Sequence, residues 1–433
     1  MQGIKFAFGW LVVFASVACS DQQHAREVEV GKERSMLFIS EQAKLVSLDP
    51  WNGDLLGSSV SLFDDRALVG SPGDDRNGPV DEGAAYVFER DGDQWDQAAK
   101  FTASDEAPFD RFGNAVALFG DTALVAAEAR DAGPNVDQGA VYVFVDDGTR
   151  WFERQKLLAA GGVSGEFFGR SIAFELDTAV IGADGSARVF ERSGATFSEV
   201  QKISPPPSAN AETFGATVAL SGDTLLVGSP ASTVGTNSAQ GAVYVYERVG
   251  ASFVLSQTLV ASDGRVLDRF GSALAIDEDN VVIGVSSSDP SSGGVGAAYV
   301  FVRSGGTFSE SAKLTASDAT PEDFFGRAVA ALGDFIVVGA PMHEHGGINT
   351  NHGSAYVFRG ADSTWTQVQE IFASDRNNGD LFASAVSLDV GLVLVGSPFD
   401  DVPFSANGSA YVFEFEGFVG EACTTAAECM SGF

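Results

Sequence analysis

The sequence predicts an all-β fold: a closed seven-bladed β-propeller of four-stranded antiparallel blades, with an N-terminal strand completing the last blade. Two observations carry the prediction. A unit of about fifty residues recurs seven times, and the seventh copy is divided between the two ends of the chain. Each copy opens on a corner dipeptide: Leu56-Gly57, Phe112-Gly113, Phe168-Gly169, Phe214-Gly215, Phe270-Gly271, Phe325-Gly326 and Phe382-Ala383. Successive corners lie 56, 56, 46, 56, 55 and 57 residues apart. Units of short strands at such a period cannot bury their own faces alone, so they stack into a ring or array.

The segments follow in chain order. Residues 1–19 read as an export signal: Lys5 supplies a positive charge, Phe6 to Val17 is apolar but too short for an ordinary membrane span, and Ser16-Val17-Ala18-Cys19 follows. Residues 20–36 are polar and charged, as a tether would be. Residues 37–418 form the ring. Its first segment, Gln42-Ala43-Lys44-Leu45-Val46-Ser47-Leu48-Asp49, spells the strand that the seventh copy lacks after Tyr411-Val412-Phe413, and joining the two leaves no open sheet edge.

Within a copy the periodicity gives four strands. In the second, Ala115-Val116-Ala117-Leu118 alternates small with larger apolar residues, Thr122 to Ala127 is almost continuously apolar, and Val141-Tyr142-Val143-Phe144 is β-branched and aromatic. A fourth strand from Trp151 through Gln155-Lys156-Leu157 alternates polar with apolar, as an outer edge does. Small first strands suit a crowded hub, and aromatic third strands fill the wider gaps between blades.

Phe-Gly followed by Gly-Ala/Ser-Pro resembles FG-GAP repeats, found in the N-terminal propeller of integrin alpha subunits and in many bacterial secreted proteins. The resemblance covers Phe38 to Gly417 and implies a surface binding or adhesion module with protein or glycan ligands. Integrin-type repeats often carry a calcium cradle between the first two strands. Here that loop shrinks to Gly120-Asp121, Gly222-Asp223 or Gly333-Asp334, too few oxygens for calcium. Separately, Ser16-Val17-Ala18-Cys19 resembles the lipobox of bacterial lipoproteins, which implies lipid on Cys19 and an exported protein of a Gram-negative bacterium, anchored in the outer membrane or released outside the cell. With Cys19 lipidated, Cys423 and Cys429 remain to pair as a disulfide. The tail, residues 419–433, resembles the opening of Cys-rich modules in bacterial surface proteins, so a C-terminally truncated module is expected.

Charge bounds the partners. With 26 basic and 59 acidic residues the net charge is -33, which argues against nucleic acid and leaves an N-terminal lipid as the only expected membrane contact. The 45% hydrophobic content fits a packed domain.

Three constellations are candidate sites. Acidic pairs five residues apart recur on the blade-to-blade connections: Asp49 and Asp54, Asp105 and Asp110, Asp263 and Asp268, Asp318 and Asp323, Asp375 and Asp380. Asp in such turns accepts main-chain N–H bonds; the sharper reading is one weak calcium site per blade. Second, His343, His345 and His352 share one loop of the sixth blade, donors that suit zinc or copper, although their spacing is loose and a plain rim loop is preferred. No cofactor is required by either reading. Third, the loops between second and third strands vary and form a candidate binding rim: Asp74, Asp75, Asp81 and Glu82; Asp131 and Asp137; Asp400 and Asp401.

Catalysis finds little footing. Outside the sixth-blade loop the only histidine is His24, and no phosphate loop, dinucleotide fingerprint or zinc-protease helix occurs. The sequence therefore predicts a non-catalytic binding module. An extracellular carbohydrate-active enzyme using paired carboxylates is the alternative, and a structural envelope scaffold the third reading.

Overall fold

The computed structural model describes residues 38–75, 81–210, 212–286, 294–345, 350–361, 364–401 and 405–416. The expected signal, tether and tail, with Cys19, Cys423 and Cys429, lie outside them. The described ring is all β. Blade 1 consists of Ser59–Phe63, Arg66–Ser71, Ala84–Asp91 and Gln94–Phe101; blade 2 of Phe112–Phe119, Thr122–Ala127, Ala140–Asp146 and Trp151–Leu157; blade 3 of Ser171–Glu175, Thr178–Ala183, Ser186–Ser193 and Thr196–Ile203. Blade 4 holds Thr217–Ser221, Thr224–Ser229, Ala242–Val249 and Ser252–Leu259; blade 5 holds Ala273–Asp277, Asn280–Val285, Ala297–Ser304 and Thr307–Leu314. Blade 6 holds Ala328–Leu332, Phe335–Ala340, Ser354–Ala361 and Thr364–Ile371. In blade 7, Ala385–Asp389, Leu392–Ser397 and Ser409–Glu416 are joined by Phe38–Leu45 from the other end of the chain.

That N-terminal strand pairs antiparallel with Ser409–Glu416, from Phe38 opposite Glu416 to Leu45 opposite Ala410. It begins earlier and ends sooner than the Gln42–Asp49 segment read from the sequence. Ala410 is the second residue of its partner, so the ladder runs out at Leu45 and Val46 to Asp49 turn into the connection to blade 1. The strand carries a register shift between Glu41 and Ala43, like the shift at Val87/Phe88, Val143/Phe144 and every other fourth-strand pairing. Such bulges strengthen the local twist.

Side-chain alternation builds the core. In the third strand of blade 1, Ala85 and Val87 pack towards blade 2 while Ala84, Tyr86 and Phe88 pack towards blade 7, so each sheet is buried on both faces. The corner aromatics Phe112, Phe168, Phe214, Phe270, Phe325 and Phe382 are wholly buried. Phe112 meets the Tyr142 ring edge-on at 5.4 Å, and Phe382 meets Tyr411 in the same way.

The two glycines of the repeat serve one close approach. Gly113 has φ 92, and a Cβ there would lie 2.1 Å from the Ala84 carbonyl oxygen; a Cβ on Gly70 would lie 2.0 Å from the Gly113 oxygen. Gly113→Ala is therefore expected to lower stability by about 2 kcal/mol or more, since the left-handed region alone costs an L-residue about 1–2 kcal/mol. A urea midpoint unchanged from wild type would contradict this.

Fourth strands are clamped to their neighbours by glutamine. Gln155 both donates to the Phe197 carbonyl and accepts from the Phe197 N–H, and Gln201 with Phe253 and Gln257 with Phe308 repeat the clamp. Gln369 treats Ile39 of the N-terminal strand identically.

Candidate functional site

Antiparallel order places the second-to-third-strand loops and the blade-to-blade connections at one end of the ring, here called the connection face. Main-chain bonds knit the two: Phe112 N–H donates to Glu82, Phe168 N–H to Gln138, and Phe382 N–H to His352.

The paired aspartates lie in these connections, and most are already engaged. The second member is buried and accepts an N–H three residues back: Asp54 from Trp51 (2.6 Å), Asp110 from Ala107 (2.9 Å), Asp268 from Arg265 (2.6 Å), Asp323 from Thr320 (2.6 Å) and Asp380 from Asn377 (2.5 Å). The first member accepts the hydroxyl of the third-strand tyrosine: Asp49 from Tyr86, Asp105 from Tyr142, Asp263 from Tyr299, Asp318 from Tyr356 and Asp375 from Tyr411, all at 2.5–3.1 Å. In four blades a lysine opposite that tyrosine completes the group. Lys100 binds Asp49 at 2.7 Å, Lys156 binds Asp105 at 2.8 Å, Lys313 binds Asp263 at 2.6 Å and Lys44 binds Asp375 at 2.7 Å. With an ammonium in place, these four pairs do not fit a calcium ion. The short strand turns fit one no better: Asp121 and Asp177 face Arg192, and Asp223 faces Arg248.

The rim acids divide. Asp74 and Asp400, expected at the rim, are only 3% and 1% exposed. Lys100 and Lys44 reach them from the fourth strand at 3.0 and 2.6 Å, and the Tyr86 and Tyr411 hydroxyls donate to them. Asp75, Asp131 and Asp401 hold their own loops, accepting the N–H of Asp81, Asp137 and Ala406. Asp81, Asp131 and Asp401 are exposed, with Glu82 and Asp137 half-buried.

Burial shifts several of these acids. Desolvation, reinforced by the charge of Asp74, pushes Asp54 up to about 7; desolvation with the charge of Asp400 pushes Asp380 up to about 6. Burial would also raise Asp105, but the Lys156 ammonium and the Tyr142 hydroxyl outweigh it and bring it to about 2. A carboxyl whose folded pKa is raised binds its proton more tightly folded than unfolded, so its stabilising contribution is lost as pH rises from about 4 through 6–7. The melting temperature is expected to be higher at pH 5 than at pH 8, and Asp54→Asn should narrow that gap. An equal gap in wild type and variant would contradict the assignment.

Blades 3, 4 and 6 depart from the pattern. In blade 3, Arg188 replaces the tyrosine; it is fully buried and bonds Glu166 at 2.5 Å and Glu199 at 2.9 Å. In blade 4, Tyr244 donates to the Ser208 hydroxyl at 3.4 Å, beside Pro205-Pro206-Pro207. In blade 6 the lysine is replaced by Glu370, opposite Tyr356. His343 lies 3.2 Å from Asp323, 3.7 Å from Asp318 and 3.8 Å from Glu370; His345 lies 3.4 Å from Glu370 and 2.8 Å from the Ser354 hydroxyl. Burial lowers His343, but Asp323, Asp318 and Glu370 together raise it above its ordinary value; burial and the charge of His343 bring His345 down to about 4. The structure thus joins two constellations that the sequence kept apart, the sixth-blade aspartates and two of the three histidines. His352 stands aside: its Nδ1 accepts the His345 N–H at 3.4 Å, and the rings are 6.0 Å apart. Glu370 went unnoticed in the sequence, although a glutamate where sibling strands carry lysine was the available signal.

An open depression of about 570 Å³ lies on the same face, lined by Asp105, Arg130, Asp131, Gln138 and Lys156 among others, without an aromatic ring. Asp105 there is neutralised by Lys156 and Arg130.

No curated protein matches the chain. The FG-GAP repeat model matches seven segments, residues 39–88, 95–144, 151–197, 197–246, 253–301, 308–358 and 365–413. Each segment starts in the fourth strand of one blade and, except for 151–197, which reaches the fourth strand of blade 3, ends in the third strand of the next, so every repeat staples two blades. With seven matched repeats folding into seven blades, the chain belongs to the FG-GAP repeat family.

Proposed function

We propose that this propeller is a non-catalytic binding or adhesion module, exported and lipid-anchored, that engages a protein or glycan ligand through its connection face. One observation carries the reading. Of the seventeen large apolar side chains exposed among the described residues, ten lie on that face: Val46, Leu48, Trp51, Phe109, Val136, Leu158, Val163, Val266, Leu267 and Phe399. They stand among exposed acids, and an apolar set within a polar surround is what recognition surfaces present. The geometry supports binding over glycoside hydrolysis. The two carboxylate pairs with a strongly raised member, Asp54 with Asp74 and Asp380 with Asp400, are buried, and the open depression has no aromatic platform.

The test is affinity capture from the producing organism's envelope and surroundings, with residues 20–418 as bait, in calcium and in chelator. A specific partner lost on combining Trp51→Ser with Phe109→Ser is the expected result. Capture unaffected by these changes would contradict the face, and no specific partner in either buffer would move weight to the scaffold and enzyme readings.

A further inference from the structure

Five loops of the connection face share a main-chain frame, because the loop-closing glycine donates to the carbonyl of one position: Asp74, Arg130, Ser232, His343 or Asp400. Across the sheet, the position opposite the third-strand tyrosine holds Lys100, Lys156, Lys313 and Lys44 in blades 1, 2, 5 and 7. Each of those ammonium groups lies 5.0–5.2 Å from the centre of its tyrosine ring and neutralises the first aspartate of the pair. Blade 6 inverts the charge, with Glu370 for lysine. Asp318, Asp323 and Glu370 therefore converge on one spot without the cation their siblings have, while two imidazoles enter it. Three carboxylates so close repel unless a positive charge sits among them.

We propose that blade 6 binds a zinc ion through His343 Nε2, His345 Nε2, Glu370 Oε1 and Asp318 Oδ2, at the place where the sibling blades hold an ammonium group. The set of two imidazoles and two carboxylates suits a borderline divalent ion. Ligands about 2.0–2.1 Å from zinc stand about 3.3–3.4 Å apart in a tetrahedron. The separations here are 3.4 Å for His345 with Glu370 and 3.8 Å for His343 with Glu370, and the ligand atoms of these three residues all lie within 4.8 Å of one another; Asp318 approaches from the His343 side at 3.7 Å and completes the set by moving in on the ion. The outer contacts are in place as well. Asp323 faces His343 Nδ1 at 3.2 Å and is itself held by the Thr320 N–H and hydroxyl, which turns Nε2 towards the ion. Tyr356 donates to Asp318 Oδ1, leaving Oδ2 for the metal, and Ser354 donates to Glu370. Asp318 is half exposed, which gives the ion a way in.

The test is calorimetric titration of the chelator-stripped full chain with Zn²⁺ alone, with melting curves run beside it. Wild type should take up one equivalent and melt at a higher temperature with zinc. Glu370→Lys restores the sibling arrangement, so it should fold and yet lose at least a hundredfold in affinity; His345→Ala should lose a similar factor, and His352→Ala should stay within twofold. No stoichiometric uptake by wild type would overturn the site. So would uptake by a folded Glu370→Lys equal to that of wild type, or a loss confined to His352→Ala.

Discussion

Removal of residues 38–49 is expected to abolish the cooperative unfolding transition, although it takes away one of the twenty-eight described strands. Ile39 and Leu45 are 2% and 1% exposed, and burying an apolar side chain of that size contributes about 1.5–3 kcal/mol. The loss continues beyond them. The outer ladder edge of Ser409–Glu416 becomes unpaired, the Gln369 clamp has nothing to hold, and Asp375 with buried Asp400 loses the Lys44 ammonium that neutralises both. A buried carboxylate stripped of its partner costs several kcal/mol, against a domain stability of about 5–15 kcal/mol. The exposed edge also invites pairing between molecules. Far-ultraviolet circular dichroism during heating checks this: a broad or absent transition, with aggregation, is expected, and a truncated chain that melts as wild type does would contradict it.

Arg188→Ala should lower stability by about 3–5 kcal/mol, the usual cost of leaving a buried ionic partner uncompensated. Arg188 is the largest fully buried side chain described, and its guanidinium holds Glu166, itself 5% exposed, together with Glu199 and the Ala160 carbonyl. Combining it with Glu166→Gln removes the stranded charge, so the double variant should be more stable than Arg188→Ala alone. Urea denaturation measures both. A single-variant loss below about 1 kcal/mol would place this group with the exposed ion pairs, whose contributions are that small.

The fold was legible because its demands fall on single positions. A corner that must bury a large apolar side chain and then take a left-handed turn against a neighbouring carbonyl leaves Phe-Gly few substitutes, so the dipeptide marks five of the seven blades, with Leu56 in place of the ring in the first. Ala383 is the exception, adopting φ 69 where the other corners have glycine. Strand register was less legible. The ladder that ends at Leu45 is set by its partner's first residues, some 365 positions away in the chain, and not by the apolar pattern of Val46 to Asp49.

The candidate site was only half legible, for the same reason. Asp74 and Asp400 look like surface acids in sequence, and only the sheet brings Lys100 and Lys44 over them. His343 and His345 were visible as a cluster, but spacing alone added His352, whereas the sheet supplies Glu370 and Asp318. The tyrosine-to-arginine exchange at Arg188 stood in the sequence; its two glutamates did not stand near it.

The connection face is tested most directly by amide hydrogen exchange of the propeller with and without its captured partner. Protection in the complex should fall within residues 46–55, 102–111, 128–139, 158–168, 260–269 and 398–401, where the ten exposed apolar side chains of that face lie. Protection confined to the opposite turns, residues 64–65, 120–121, 176–177 and 222–223, would contradict it.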